Sequence, residues 1–322
     1  MIELRRVFRY FGQTRAVHDV SFEVPAGTVC GYIGPNGAGK TTSMRILATL
    51  DVPTGGDAYI DGFSCVLDPD RVRKRLGYMP DAYGTYSDVN CLEYLDFFAR
   101  SYGLVGRERA RAIRRVLDFT RLDPLAEKPI DGLSKGMKQR LCLGRALIHD
   151  PAVLVMDEPA AGLDPRARIE LRDMIGQLAA DGKTVLISSH ILTELGEMCH
   201  QVAIIEQGQL LAVGSVDEIR RGHEPQNSVR VELLSVAQPL AQWLQQRAAS
   251  GDAGPFTGIG EIAIEKNSLS FPHPADRQAE SQMLREIVLA GFAVIEFGSH
   301  ETSLEEVFMR VTEGQAPPGD DA

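Results

Sequence analysis

No uncharged apolar run in this 322-residue chain approaches the ~20 residues that a bilayer-spanning helix needs. Runs such as Ala152 to Met156 and Thr184 to Ile187 fall far short, which predicts that no segment crosses a membrane. The opening residues Met1-Ile2-Glu3-Leu4-Arg5 lack the apolar core of a signal peptide, so secretion of the chain is not expected. Cysteine is also scarce. Cys30, Cys65, Cys91, Cys142 and Cys199 are scattered, odd in number and without a C-x-x-C pair. That argues against a disulfide framework or a cysteine metal site and for small core residues in a reducing cytosol. Positive charge is the third shortage: 34 Lys and Arg against 44 Asp and Glu leave a net charge of −10. A broad nucleic-acid-binding face needs clustered cations, and none is expected here. The local cluster Arg71, Arg73, Lys74 and Arg75 reads as a solvated helix face.

What is present is an ordinary globular composition, 24% charged and 44% hydrophobic, in a length that suits about two domains. Within it, Gly34-Pro35-Asn36-Gly37-Ala38-Gly39-Lys40-Thr41-Thr42 matches G-x-x-x-x-G-K-[ST], a loop that wraps nucleotide phosphates. The glycines let the backbone curl so that successive N–H groups face phosphate oxygens. Lys40 supplies a point charge for the β- and γ-phosphates, and the Thr41 hydroxyl can ligand Mg²⁺. Val29 to Ile33 reads as a buried strand before the loop, and Met44, Leu47 and Leu50 recur at helical spacing after it. The helix N-terminus would aim roughly half a positive charge at the phosphates.

Around this loop the patterning alternates in kind. Ile2 to Leu4, Val20 to Val24 and Ala58 to Gly62 read as strands of an antiparallel layer. Between Leu92 and Leu122 the period becomes helical, with Leu92, Leu95, Phe98, Ala99 and Tyr102 forming one stripe and Ile113, Val116 and Leu117 the next. Ser134 can cap a further helix carrying Met137, Leu141, Gly144 and Ile148 on one face, stopped by Asp150-Pro151. Ala152 to Met156, a helix over Ala167 to Leu178, and Thr184 to Ile187 make the βαβ pattern of a parallel sheet. Composition then shifts. The expected division is a nucleotide-binding domain over 1–221 with a helical subdomain near 85–150, a linker at 222–228, a small α+β domain over 229–313, and a disordered tail at 314–322. The small domain would include a hairpin about Lys266-Asn267 and a last helix opened by a capping box at Ser303 to Glu306.

Further chemistry sits at strand ends. Val153 to Met156 is an apolar run closing on Asp157 and Glu158. In a phosphate-loop enzyme an Asp at such a position holds Mg²⁺, and Glu158, one residue on, can polarise a water for attack on the γ-phosphate. His190 follows Thr184 to Ser189, at the strand end where open parallel sheets place ligands, and is expected to contact the γ-phosphate.

Taken together, Gly34 to Thr41, Leu133-Ser134-Lys135-Gly136-Met137, Val153 to Glu158, Gly162-Leu163-Asp164 and His190 resemble the ATP-binding cassette ATPases in order and spacing, over roughly Met1 to Arg221. The resemblance implies an α/β phosphate-loop fold with a parallel sheet core, an antiparallel layer and an inserted helical subdomain. It implies ATP and Mg²⁺ as cofactors and two cassettes packed head to tail around two ATP molecules. Ser134 and Gly136 would then contact the γ-phosphate in the partner's site, and Asp164 would lie at the dimer interface. Phe11 would stack on adenine, with Tyr10 as the alternative.

Two departures stand out. The signature reads Leu133-Ser134-Lys135-Gly136-Met137 where the family has LSGGQ, and Asp81 replaces the Gln after the Gly-Tyr-x-Pro turn, where a carboxylate reaches Mg²⁺ only through water. The region around Tyr83 to Tyr86 is similar to subunits of two-component exporters that receive a helix of a membrane-spanning permease, and the C-terminal segment to Phe308 is similar to an accessory domain of such subunits. The expected protein is a cytoplasmic, membrane-peripheral ATPase that homodimerises on ATP and drives a separate permease. A nucleotide-gated scaffold without transport is the alternative, disfavoured by Glu158 and His190.

Overall fold

The computed structural model describes residues 1–300 except 82–83, 85–87, 190–195, 197, 223–227, 250–253 and 274–276. The chain divides into two compact units, one over Met1–Ile219 and the other starting at Arg220. Strands β1 (Ile2–Phe11), β2 (Thr14–Val24), β4 (Gly55–Ile60) and β5 (Phe63–Ser64) form an antiparallel sheet in the order β2-β1-β4-β5. Alternation along β1 and β2 buries Ile2, Leu4, Val7, Val17, Val20, Phe22 and Val24 in one cluster with Tyr32, Met44, Ile46 and Leu47.

The second sheet holds β3 (Val29–Ile33), β6 (Leu76–Met79), β7 (Val153–Met156), β8 (Thr184–Ser189), β9 (Gln201–Glu206) and β10 (Gln209–Ser215), ordered β10-β9-β3-β8-β7-β6. Pairing is parallel from β9 through β6, and only β10 runs antiparallel. Every residue of β3, β7 and β8 is buried. These strands are continuous apolar runs because a parallel sheet is covered on both faces. Parallel pairing also brings the C-terminal ends of β3, β8 and β7 side by side, at the edge where the phosphate loop and the paired carboxylates leave the sheet.

Helix α1 (Lys40–Leu47) follows β3, and α2 (Pro69–Arg73) carries the basic cluster. There Arg75 pairs with Asp61 at 2.9 Å and lies 4.4 Å over the Phe63 ring, so it is an exposed structural ion pair. The helical segment comprises α3 (Cys91–Ser101), α4 (Gly106–Phe119) and α5 (Lys135–Leu147). Helix α3 opens on a full capping box, Asn90 with Glu93. Its buried face carries Cys91, Tyr94, Leu95 and Ala99, which corrects the stripe expected from the sequence: Leu92 is 39% exposed and Tyr102 42%. Tyr102 lies past the helix end, stacked on His149 with ring centres 3.7 Å apart.

The second unit has an antiparallel sheet ordered β12-β13-β11-β14, from β11 (Ser228–Leu233), β12 (Ala263–Glu265), β13 (Ser268–Pro272) and β14 (Val294–His300). Val229, Val231 and Leu233 form its core with Leu240, Leu244, Phe271, Met283 and Ile287. Helices Gln238–Ala249 and Arg277–Leu289 supply the partners of that face. The hairpin turns at Lys266, whose φ is 50°. The capping box at Ser303 to Glu306 and the tail lie outside the described residues.

Candidate functional site

The loop from Gly34 to Gly39 leaves β3 where the backbone itself has no room for side chains. A Cβ on Gly34 would sit 2.2 Å from the Ile205 carbonyl oxygen, and one on Gly39 2.3 Å from that of Ala16. Gly39 caps α1 at φ 104°, in the left-handed region that glycine adopts at least cost. Gly34, Ala38 and Lys40 are buried, Gly39 and Thr42 half-buried, and Pro35, Asn36, Gly37 and Thr41 exposed at the mouth of the loop. Lys40, only 5% exposed, donates from Nζ to the carbonyls of Gly34 at 2.5 Å and Pro35 at 3.1 Å. The same ammonium lies 3.6 Å from Glu158 Oε1.

Strand order explains that meeting. β7 is separated from β3 only by β8, so the residues after Met156 come level with the loop. Asp157 is 1% exposed, and the Ser188 hydroxyl donates to its Oδ1 at 2.7 Å. Ser188 in turn accepts the Glu158 N–H at 2.8 Å, which ties the Asp157 carboxylate and the Glu158 backbone to β8. Asp157 Oδ2 is buried without a hydrogen-bond partner among the described residues. A buried carboxylate oxygen in this state fits a hard divalent cation, whose oxygen ligands would include it and the Thr41 hydroxyl. Glu158 has φ 47°, a sparsely populated conformation of the kind that collects at functional sites. Tyr78 on β6 is half-buried, and burial followed by the nearby Asp157 charge pushes its phenol up to about 12, so it stays neutral.

A second face is built by helix caps. Ser134 caps α5 by accepting the Met137 N–H at 3.3 Å, and Asp164 caps α6 (Pro165–Ala180) by accepting that of Ala167 at 2.9 Å. The two helix starts border a recess of about 110 Å³ lined by Ser134, Gly136, Met137, Asp164 and Ala167 among others. Lys135 reaches across to Gly162 in the turn before Asp164.

Two family descriptions match the sequence: "ABC transporter" over residues 17–161 and "ATP-binding protein DrrA1-3-like, C-terminal domain" over residues 214–312. The ABC transporter ATP-binding protein YxlF of Bacillus subtilis (strain 168) is 33% identical, over 97% of this chain and 99% of that one. The chain belongs to the ABC transporter ATP-binding proteins. Its activity is ATP hydrolysis, and its fold is that of their cassette. A Nod factor export ATP-binding protein I of Burkholderia lata is 37% identical over 97% of this chain and 96% of that one. Among solved structures, a dimeric bacterial ABC transporter cassette aligns with a TM-score of 0.61 and 25% identity, over 67% of this chain and 99% of that one.

For this ABC cassette, the structure brings Lys40, Asp157 and Glu158 together and sets Ser134, Gly136 and Asp164 on one separate surface. Asp81 lies exposed just beyond β6, and Gly84 is exposed after it. His190, Tyr83, Thr85 and Tyr86 fall outside the described residues. Between the two candidate aromatics, Tyr10 is engaged: its hydroxyl is hydrogen-bonded to His18 Nδ1 at 2.7 Å and its ring stacks on the same imidazole. Phe11 is 48% exposed.

Two residues with structural roles at the site escaped the sequence reading. Ser188 lies on β8 just past the apolar run Thr184 to Ile187, and Gln139 lies within α5 outside the expected face of Met137, Leu141, Gly144 and Ile148. Gln139 is 3% exposed and donates from Nε2 to the Pro159 carbonyl at 2.6 Å, tying α5 to the turn that follows Glu158. The available signal was chemical: a polar residue inside a segment otherwise buried all round needs a partner. Cys30, Cys65, Cys91 and Cys142 are buried, as expected, whereas Cys199 is half-buried; burial pushes the Cys142 thiol up to about 11 and Cys65 up to about 12. Among the described residues no His, Cys, Asp and Glu group has a metal-cluster arrangement.

Proposed function

We propose that this ATPase binds ATP and Mg²⁺, pairs head to tail with a second copy, and drives export through a separate membrane-spanning permease at the cytoplasmic face of the membrane. The carrying observation is the convergence of Lys40, Asp157 and Glu158 beyond the C-terminal ends of β3 and β7, the parallel strands on either side of β8. In this reading the backbone from Gly34 through Thr42 cradles the phosphates, with Pro35, Asn36, Gly37, Ala38 and Gly39 forming the curve. Lys40 neutralises the β- and γ-phosphates. Thr41 and Asp157 would hold Mg²⁺, Asp157 directly or through water, and Asp81 would reach it through water. The bound metal supplies positive charge that stabilises the transferring phosphoryl group.

Glu158 orients the attacking water as general base, its backbone N–H held by the Ser188 hydroxyl and its carboxylate 3.6 Å from Lys40 Nζ. His190 contacts the γ-phosphate. Ser134 and Gly136 complete the partner's site, Asp164 lies at the interface, and Phe11 stacks on adenine. A caps-built surface remote in sequence from the phosphate loop supports a site shared between two copies. So does the likeness to a dimeric cassette. Export is supported by the relative named for Nod factor export.

Glu158→Gln is the decisive variant. It keeps shape and removes the base, so hydrolysis is expected to fall by about 10²–10⁴-fold while ATP still binds. Size-exclusion chromatography with ATP and Mg²⁺ should then show a long-lived dimer. A monomer with parental turnover would sink both the base and the dimer assignments.

A further inference from the structure

The exposed Phe11 ring is not free on all sides. Arg9 precedes it by two residues on β1, and the guanidinium carbon lies 4.3 Å from the ring centre. Residues at that spacing share one face of a strand. The guanidinium is anchored from behind: Arg9 Nη2 pairs with Asp51 Oδ1 at 2.8 Å, with the two side chains only 24% and 15% exposed. Asp51 belongs to the turn that closes α1, since the N–H groups of Leu50 and Asp51 both donate to the Arg45 carbonyl, at 2.9 and 3.2 Å. Arg9 Nε is buried without a hydrogen-bond partner among the described residues. A guanidinium that leaves a buried donor unsatisfied gives up hydrogen bonding for its place against the ring.

We propose that Arg9 is a positioning residue for the nucleotide base: with Asp51 it forms a strut that holds the Phe11 ring ready for a purine to stack on its open surface. This rests on the assignment of Phe11 above. The physical gain is preorganisation. A ring already fixed loses little conformational freedom when the base arrives, and the cation over its covered face counteracts the cost of exposing it. The strut also anchors the base platform to the end of the helix whose first residue, Lys40, serves the phosphates. Arginine suits the task because its planar group stacks, whereas the ammonium of lysine does not.

The test uses the full chain and 2-aminopurine riboside triphosphate, whose fluorescence is quenched when the base stacks. Arg9→Gln should lower affinity for this probe by about 3- to 10-fold, the cost of ordering one loosened side chain on binding. The quench should weaken in parallel, while saturated ATP turnover stays near the parental rate. Arg9→Lys should recover part of the affinity, and Asp51→Asn should reproduce the Arg9→Gln result by breaking the strut at its other end. Should Arg9→Gln fold poorly, those two variants carry the same readout. Parental affinity and full quenching in the folded Arg9 variants would overturn the proposal, as would a loss of turnover with base binding unchanged. Parental binding by Phe11→Ala would remove the platform itself and the proposal with it, while a Phe11→Ala defect that no strut variant shares would overturn the strut alone.

Discussion

At the scale of single residues, the site is a balance of buried charge. Lys40 is a nearly enclosed cation held by carbonyls and by Glu158, so its replacement removes the fixed positive charge that the phosphates need. Lys40→Ala is expected to weaken ATP binding and cut turnover by about 10²- to 10³-fold, as loss of one preorganised charge contact does. Isothermal titration and steady-state hydrolysis on protein shown to be folded by circular dichroism check this, and parental values would mean the loop is not the phosphate site. Asp81 presents the opposite situation, an exposed carboxylate at the end of β6. Asp81→Gln adds a donor and removes a negative charge, so hydrolysis should persist with an altered Mg²⁺ dependence. Abolished hydrolysis with intact nucleotide binding would show that the carboxylate itself is required.

Elements communicate through a few polar ties and one aromatic stack. His149, just past α5, donates from Nε2 to the Leu76 carbonyl at 3.1 Å and stacks on Tyr102 past the end of α3, joining the helical segment to β6. Burial lowers its pKa from 6.5 to about 4. The folded pKa lies below the unfolded one, so the unfolded chain takes up a proton first as the solution is acidified. This residue's contribution is therefore intact above pH 6.5 and lost as pH falls toward about 4, at most about 3 kcal/mol at 1.36 kcal/mol per unit. Thermal melts of the parent should drop between pH 7 and pH 5 by more than those of His149→Gln, and identical slopes would refute the assignment. Element ends were legible where a cap or a short apolar run marks them, as at Ser134 and over Val153 to Met156, whereas β1 and β2 read short because polar residues carry them on to Phe11 and back to Thr14. The buried face of α3 was not legible, since it depends on which side of the helix packs against α4 and α5.

Across the whole molecule, each unit has its own core: the cluster around β11, Phe271 and Met283 contains no residue of the nucleotide motifs. Removing the chain from Pro225 onward is therefore expected to leave ATP affinity intact and to alter dimer lifetime or recovery with a permease. Comparing truncated and full-length protein for ATP affinity, turnover and membrane recovery tests it. A truncated chain that folds yet cannot bind ATP would refute the independence of the units.

The phosphate loop and the paired carboxylates were readable from sequence alone because their chemistry is carried by consecutive residues: the backbone needs glycine at Gly34 and Gly39, and an apolar strand must end where Asp157 begins. Tertiary structure alone decided which of these groups meet. The approach of Lys40 to Glu158, the Ser188 hydroxyl shared by the Asp157 carboxylate and the Glu158 N–H, and the Gln139 tie to Pro159 all depend on β8 lying between β3 and β7 and on how α5 packs. The neighbours of Tyr10 and Phe11 are likewise decided in space, His18 for one and Arg9 for the other. Local periodicity sets which face of a strand or helix is apolar. It holds no record of strand order, which comes from long-range pairing and burial.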